Sequence, residues 1–219
     1  MKTKTHIKRF LGFSLLSLTA AFHAEANLIS NGNFEAGNIG FFSDYAYRTD
    51  SIYDPATYAI TTNPHLVHTS ATAYGDHTSG RGNMMAINGA IVQGKKVWSD
   101  AITLTKNTDY IFSLWVSSWH VSNPALLDFS LNAGSTYLGT VSAPVTTGRW
   151  DHHTLTFNSG MLYGPMDLSI TDLTTKWDGN DFAIDDLSLV SARVPEPTSA
   201  LLLGLGLMGI ALYKKKPRT

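Results

Sequence analysis

Ser113, Trp115, Ser117 and Trp119 fall on one parity of the segment 109–120. Residues of one parity share a face of an extended strand, so the two indoles would stand about 13 Å apart. Indole faces stack on the apolar faces of pyranose rings, and serine hydroxyls can bond sugar hydroxyls. These residues form a candidate ligand-binding strip, and His152 and Thr154 would extend it if their strand pairs alongside. The same tryptophans could instead pack beneath long loops. Trp98, Trp150 and Trp177 fall at strand edges and are expected in the core or at its rim.

Other chemistries are less well marked. His65 and His68 have H-x₂-H spacing, His77 adjoins Asp76, and His152 adjoins His153. No H-E-x-x-H pattern or helical context accompanies them, so they read as solvated loop histidines rather than zinc ligands. No G-x-S-x-G elbow is present, and the absence of cysteine excludes thiol catalysis, disulfides and cysteine-based zinc sites. Glycosidase chemistry needs two carboxylates across a cleft. Glu35 is the one glutamate between residues 27 and 194, and no aspartate is singled out by context. A non-catalytic binding role is the expectation, with a secreted hydrolase as an alternative.

Elements that could position such a strip are short and extended. Tyr110, Phe112, Leu114 and Val116 alternate with Ile111, Ser113, Trp115 and Ser117, the period-two signature of a half-buried strand. Further strands are expected over 28–30, 84–88, 97–105, 126–132, 137–141, 152–158, 166–172 and 182–190, with long loops over 43–80. Turn-forming residues such as Asn132, Gly134 and Gly148 separate them. Nine short strands without a helical period predict an all-β domain, a jelly-roll β-sandwich over 27–192, with a ConA-like strand order as the alternative.

Charge is segregated along the 219 residues. Residues 27–194 hold 8 basic and 15 acidic side chains, a net charge of −7, while both termini are basic. An acidic domain repels phosphate backbones, which argues against a nucleic-acid partner, and it suits hard cations such as calcium.

The termini carry targeting patterns. A basic stretch from Lys2 to Arg9, 13 mostly apolar residues over 10–22, and Ala24-Glu25-Ala26 form a signal peptide over 1–26, with small residues at −3 and −1 of the cleavage site. At the other end, Val194-Pro195-Glu196-Pro197 precedes 15 uncharged residues, 199–213, and the basic run Lys214-Lys215-Lys216-Pro217-Arg218. A helix of that length reaches about 22 Å, short of a ~30 Å hydrocarbon core unless the lysines snorkel. The positive-inside rule places the basic end in the cytoplasm and the domain outside. Pro195, Glu196 and Pro197, the short helix and the basic end resemble the PEP-CTERM sorting signal of Gram-negative bacteria. That resemblance implies passage through the inner membrane, processing by an exosortase, and delivery to the cell surface or extracellular matrix, often with extracellular polysaccharide. A permanent transmembrane anchor is the alternative.

A second resemblance covers most of 27–190. Asn27-Leu28-Ile29-Ser30-Asn31-Gly32-Asn33-Phe34-Glu35 is similar to the opening strand of galactose-binding-like, carbohydrate-binding-module jelly rolls. Gly179-Asn180-Asp181-Phe182-Ala183-Ile184-Asp185-Asp186-Leu187 is similar to their closing strand, and Asp76-His77-Thr78-Ser79-Gly80-Arg81-Gly82-Asn83-Met84 to a segment of MAM-like surface sandwiches. In the resembling fold the first and last strands lie together and a structural calcium often joins them. The resemblance therefore implies a Ca²⁺ site in which Glu35 and either Asp185 or Asp186 supply carboxylates, with backbone carbonyls completing six to eight oxygens. Adjacent aspartates of a regular strand point to opposite faces, so one of the pair should face inward. The function implied is an exported carbohydrate-binding module. A structural or adhesive matrix protein that binds other proteins through the 43–80 loops is the other class.

Overall fold

In a computed structural model the described residues are 26–120, 122–132, 134–192 and 204–207. The signal-peptide segment up to Glu25, with Ala24, lies outside them, as do Pro195, Glu196, Pro197 and most of the expected helix over 199–213. Ala26 is exposed coil. Among the described residues no helix is long and apolar enough to cross a membrane.

Among the described residues, ten strands make two sheets. In chain order they are β1 (Ala46–Tyr47), β2 (Thr57–Thr61), β3 (Met84–Asn88), β4 (Lys96–Leu104), β5 (Asp109–Ser118), β6 (Leu126–Leu131), β7 (Thr136–Ser142), β8 (Trp150–Asn158), β9 (Gly164–Asp172) and β10 (Phe182–Ser191). One sheet has the order β1-β2-β3-β10-β5-β8 and the other β4-β9-β6-β7. All pairings are antiparallel except β1 with β2. This is an all-β jelly-roll sandwich, as expected.

The core lies between the sheets. Tyr110, Phe112, Leu114 and Val116 of β5 pack with Leu127, Phe129 and Leu131 of β6 and Leu168 and Ile170 of β9. Phe112 and Phe129 meet across the layer at 5.3 Å between ring centroids. The sandwich closes where edge strand β7 meets edge strand β8. Gly139 is needed there, because a Cβ on it would fall 2.9 Å from Leu155 Cδ2.

Three expectations change. Residues 28–30 do not form a strand. The Asn27 side chain occupies β10 instead: its Nδ2 donates to the Leu187 carbonyl (3.1 Å), and its Oδ1 accepts from the Leu189 amide (2.8 Å). The segment still runs beside β10, since the Leu28 amide donates to Leu189. The 43–80 stretch is not all loop, because β1 and β2 lie within it. Finally, β10 is bulged between Asp185 and Ser188. Asp186 takes a left-handed φ of 49° there, and the extra residue shifts the parity so that Leu187 and Leu189 both enter the core.

Candidate functional site

The middle of β5 carries the site. On the outer face of its sheet, Trp115 lies opposite Asp185 of β10 on one flank and His152 of β8 on the other. Each neighbour places an aromatic ring against the indole. From the β10 side the His77 imidazole stacks on it at 3.6 Å and 14°. From the β8 side the His152 ring lies at 4.7 Å and 30°. Trp150 adds an edge contact to His77 at 6.1 Å, and its Nε1 donates to the Gly75 carbonyl at 3.2 Å. Trp115 is therefore half-buried and held upright between two imidazoles.

The strip expected from sequence is brought together only in part. Ser113 pairs with Thr154, and Trp115 with His152; Ser113 is half-buried, while His152 and Thr154 are exposed. Ser117 is fully buried. Trp119 does not join the strip and takes the other expected course, packing beneath a loop. β5 ends at Ser118, the chain turns, and the Trp119 side chain is 1% exposed in a second small core. There it packs with Ile52, Ala59, Val67, Ala71 and Ala86, and its Nε1 donates to the Phe182 carbonyl at 2.9 Å. The two indoles therefore do not share a surface.

His77 is held by β10, and the bulge explains how. The Asp185 Oδ2 accepts the His77 backbone N–H at 2.9 Å, and the Asp186 Oδ2 accepts from His77 Nδ1 at 2.6 Å. The Asp186 Oδ1 accepts the Thr78 hydroxyl at 2.7 Å. Adjacent aspartates of a regular strand would diverge; the left-handed residue turns both carboxylates to the same loop. His77 is thus a positioned ring, not a solvated one, and His68 too lies in an aromatic stack, between Tyr53 (4.0 Å) and Trp119 (4.9 Å).

The same loop gathers acids. Asp76, buried, accepts the amides of Ser79 (2.9 Å) and Gly82 (2.8 Å). Burial raises its pKa, but the amides of Ser79, Gly82 and Arg81 and the Ser79 hydroxyl outweigh burial and hold it below the usual value. The Glu35 Oε1 accepts the Asn83 amide at 2.8 Å. Glu35 and Asp76 both press on Gly82: a Cβ there would lie 2.1 Å from Glu35 Oε1 and 3.0 Å from Asp76 Oδ2. Asp185 is 0% exposed. Its pKa is pushed up to about 7 by burial and by the charges of Asp186 and Asp76. Among the described residues no Lys or Arg pairs with Glu35, Asp76 or Asp185. No three His, Asp or Glu side chains among them close a metal cage by themselves. A cation here would need backbone carbonyls in its shell.

Asp76 and His77 were not assigned roles from sequence. The usable signal was the Asp76-x-x-Ser79 spacing of a side-chain-capped turn. Nothing local tied His77 to Trp115, because that contact depends on β10.

The sandwich has the jelly-roll fold of several solved domains. It superposes on the CBM22-1 xylan-binding domain of Paenibacillus barcinonensis Xyn10C with a TM-score of 0.51 and 15% identity, covering 80% of this chain and 100% of that one. A cyclase from Fischerella sp. TAU gives 0.53 and 15%, covering 78% and 100%. The CBM22-1–GH10 modules of Clostridium thermocellum Xyn10B, complexed with xylohexaose, give 0.51 and 14%, covering 76% of this chain and 29% of that one. At these identities the likeness shows the fold. No curated protein matches the chain. Residues 193–216 match the PEP-CTERM protein-sorting motif. The chain is therefore an exported protein sorted through the membrane.

Proposed function

We propose that this is a non-catalytic carbohydrate-binding module, processed by an exosortase and displayed at the cell surface or in the extracellular matrix. The observation that carries the reading is the outer face over β5 and β8. An indole fixed between His77 and His152 stands beside the exposed hydroxyl of Thr154 and the half-exposed one of Ser113. Its indole faces are occupied, so sugar would meet the ring edge, His152 and the hydroxyls. The net charge of −7 over 27–194 favours neutral glycans over polyanions. Calorimetric titration of the exported protein with xylan, mannan and β-glucan tests the reading. His152→Ala and Trp115→Ala should each weaken the bound glycan at least tenfold, about 1.4 kcal/mol. Failure of every polysaccharide to bind would remove the proposal, and hydrolysis of a bound one would move it to the hydrolase alternative.

We further propose that Ca²⁺ joins the first segment to β10 through Glu35 and Asp185. Backbone carbonyls would complete the shell, Asp76 holds the neighbouring loop through the Ser79 and Gly82 amides, and Asp186 orients His77. The support is that Glu35 and Asp76 both meet Gly82 while Asp185 meets the His77 amide, with no Lys or Arg paired to any of the three among the described residues; acidic oxygens of this kind suit a hard cation. A ligand that binds only the folded state stabilises it by about 2.7 kcal/mol at a hundredfold excess over Kd. Excess EDTA at pH 7.5 should accordingly lower Tm by several degrees, with recovery on adding Ca²⁺ and no response in Asp185→Asn. Indifference to EDTA, with no calcium found by mass spectrometry, would defeat the idea.

A further inference from the structure

Of the five tryptophans, Trp98 and Trp119 are buried, and Trp115 and Trp150 are half-buried against imidazoles. Trp177 alone stands bare, at 73% exposure, on the loop between β9 and β10. The sequence placed it at the rim of the core; the structure lifts it clear.

The loop that carries it is tied down at both ends. The Leu173 amide donates to the Leu126 carbonyl at 2.8 Å, and the Thr174 hydroxyl to the Pro124 carbonyl at 3.2 Å. The buried Asn180 Nδ2 donates to the Thr174 carbonyl at 2.7 Å and the Ala90 carbonyl at 3.0 Å. Asn123 Nδ2 reaches the Asp178 carbonyl at 2.7 Å. Gly179 lies so close to the 122–123 backbone that a Cβ would fall 1.8 Å from the Ser122 carbonyl oxygen. A braced loop holding an exposed indole loses little freedom when a ligand docks, and that freedom is a main cost of binding.

We infer that this loop is a second carbohydrate subsite, with Trp177 as a stacking platform for a neutral pyranose; the inference rests on the carbohydrate reading above. The chemistry around the indole selects the ligand. Lys176 and Asp178 flank Trp177 in the chain and are exposed, as is Asn123, and His120 Nε2 lies 3.7 Å from Asp178 Oδ1. A pyranose has one apolar C–H face and a rim of hydroxyls, which matches a single indole bordered by donors and acceptors of both signs. A protein hot spot would be enclosed by a seal of near-neutral contacts. A lipid surface would need an amphipathic face rich in Lys and Arg. Placement agrees. β10 starts beside this loop at Phe182 and runs ten residues to Ser191, about 30 Å, and the sorting motif begins at 193. The loop thus points away from the end that enters the sorting machinery.

The test is titration of the exported protein and of Trp177→Ala and Trp177→Phe with xylan, mannan and β-glucan, with tryptophan fluorescence and Tm recorded together. Trp177→Ala should lose at least tenfold affinity for one of the three at unchanged Tm. Trp177→Phe should stay within about threefold of wild type. Saturating glycan should protect wild-type fluorescence from acrylamide quenching, and that protection should shrink in Trp177→Ala. If a glycan binds while Trp177→Ala stays within twofold and keeps the full protection, the subsite is wrong and the module reading stands. If no glycan binds, both fall.

Discussion

Trp119→Ala is expected to cost about 3–5 kcal/mol of stability, while any protein that still folds keeps its glycan affinity. Trp119 is buried in the small core that clamps residues 62–75, with Ile52, onto the outer face of the six-stranded sheet. Removing it deletes the packing against Ile52, Val67 and Ala71. It also leaves the Phe182 carbonyl without its 2.9 Å indole donor and takes away one wall of the His68 stack. The backbone bond from the Thr72 amide to the Trp119 carbonyl remains, so the segment should loosen rather than detach. Urea denaturation should show the lost stability, and limited proteolysis should show new cleavage within 62–75. Wild-type stability combined with lost polysaccharide binding would contradict this and return Trp119 to a ligand-facing surface.

The contrast between Trp115 and Trp119 shows where sequence stops being informative. Both have the parity of the outer face, and both keep that face. Parity does not tell an open face from a covered one: Trp119 lies where residues 62–75 cross the sheet, and Trp115 does not. β2 was missed for a related reason. Tyr58 and Ile60 face the main core while Ala59 lies in the small outer core with Ile52, Val67 and Ala71. Burial on both faces erases the alternation that marks a strand. The inner faces of β5, β6 and β10 were legible because one side meets the core and the other does not. The acid cluster was half legible: Glu35 and Asp185 have neighbours typical of the resembling fold and Asp76 has its Ser79 spacing, whereas the turning of Asp186 depends on a bulge that no local signal marks. His77 could not be found at all, since its partners lie 38 and 109 residues away along the chain. Trp177 was visible as a residue, but its exposure follows from braces supplied by Asn123 and Asn180.

The other large effect is a loss of stability on raising the pH, centred on Asp172 at the end of β9. This carboxyl is 2% exposed. Burial is the main cause that pushes its pKa up to about 7, against the opposing pull of the Thr174 and Leu126 amides and the Asn180 side chain; the nearby charge of Asp181 adds to the rise. Asp181 is itself pushed up to about 6, first by burial, with the Gly89 amide and His120 opposing and Asp178 adding. The unfolded chain releases the Asp172 proton near 3.8, whereas the folded chain keeps it until about 7. Between those values the folded state binds more protons, so stability is full below pH 3.8 and falls as pH rises, by about 1.4 kcal/mol per unit and about 4 kcal/mol in all. Asp172→Asn removes this loss at little structural expense. The Thr174 amide bonds Oδ1 at 2.9 Å, and the Asn180 amide reaches Oδ2 only at 3.3 Å while holding the Ala90 and Thr174 carbonyls more closely. The carboxamide oxygen can therefore keep the Thr174 bond, and its NH₂ can take the Oδ2 position. Urea titrations at pH 4, 5.5 and 7.5 in one calcium-free buffer should show the two proteins close together at pH 4. The variant should be the more stable by a growing margin as pH rises. Asp185 and Asp181, also pushed up by burial, leave a further decline in both proteins. A constant gap across that range, or a variant that is the weaker protein at pH 7.5, would mean that Asp172 is held as an anion in the fold and that its environment is far more polar than its burial implies.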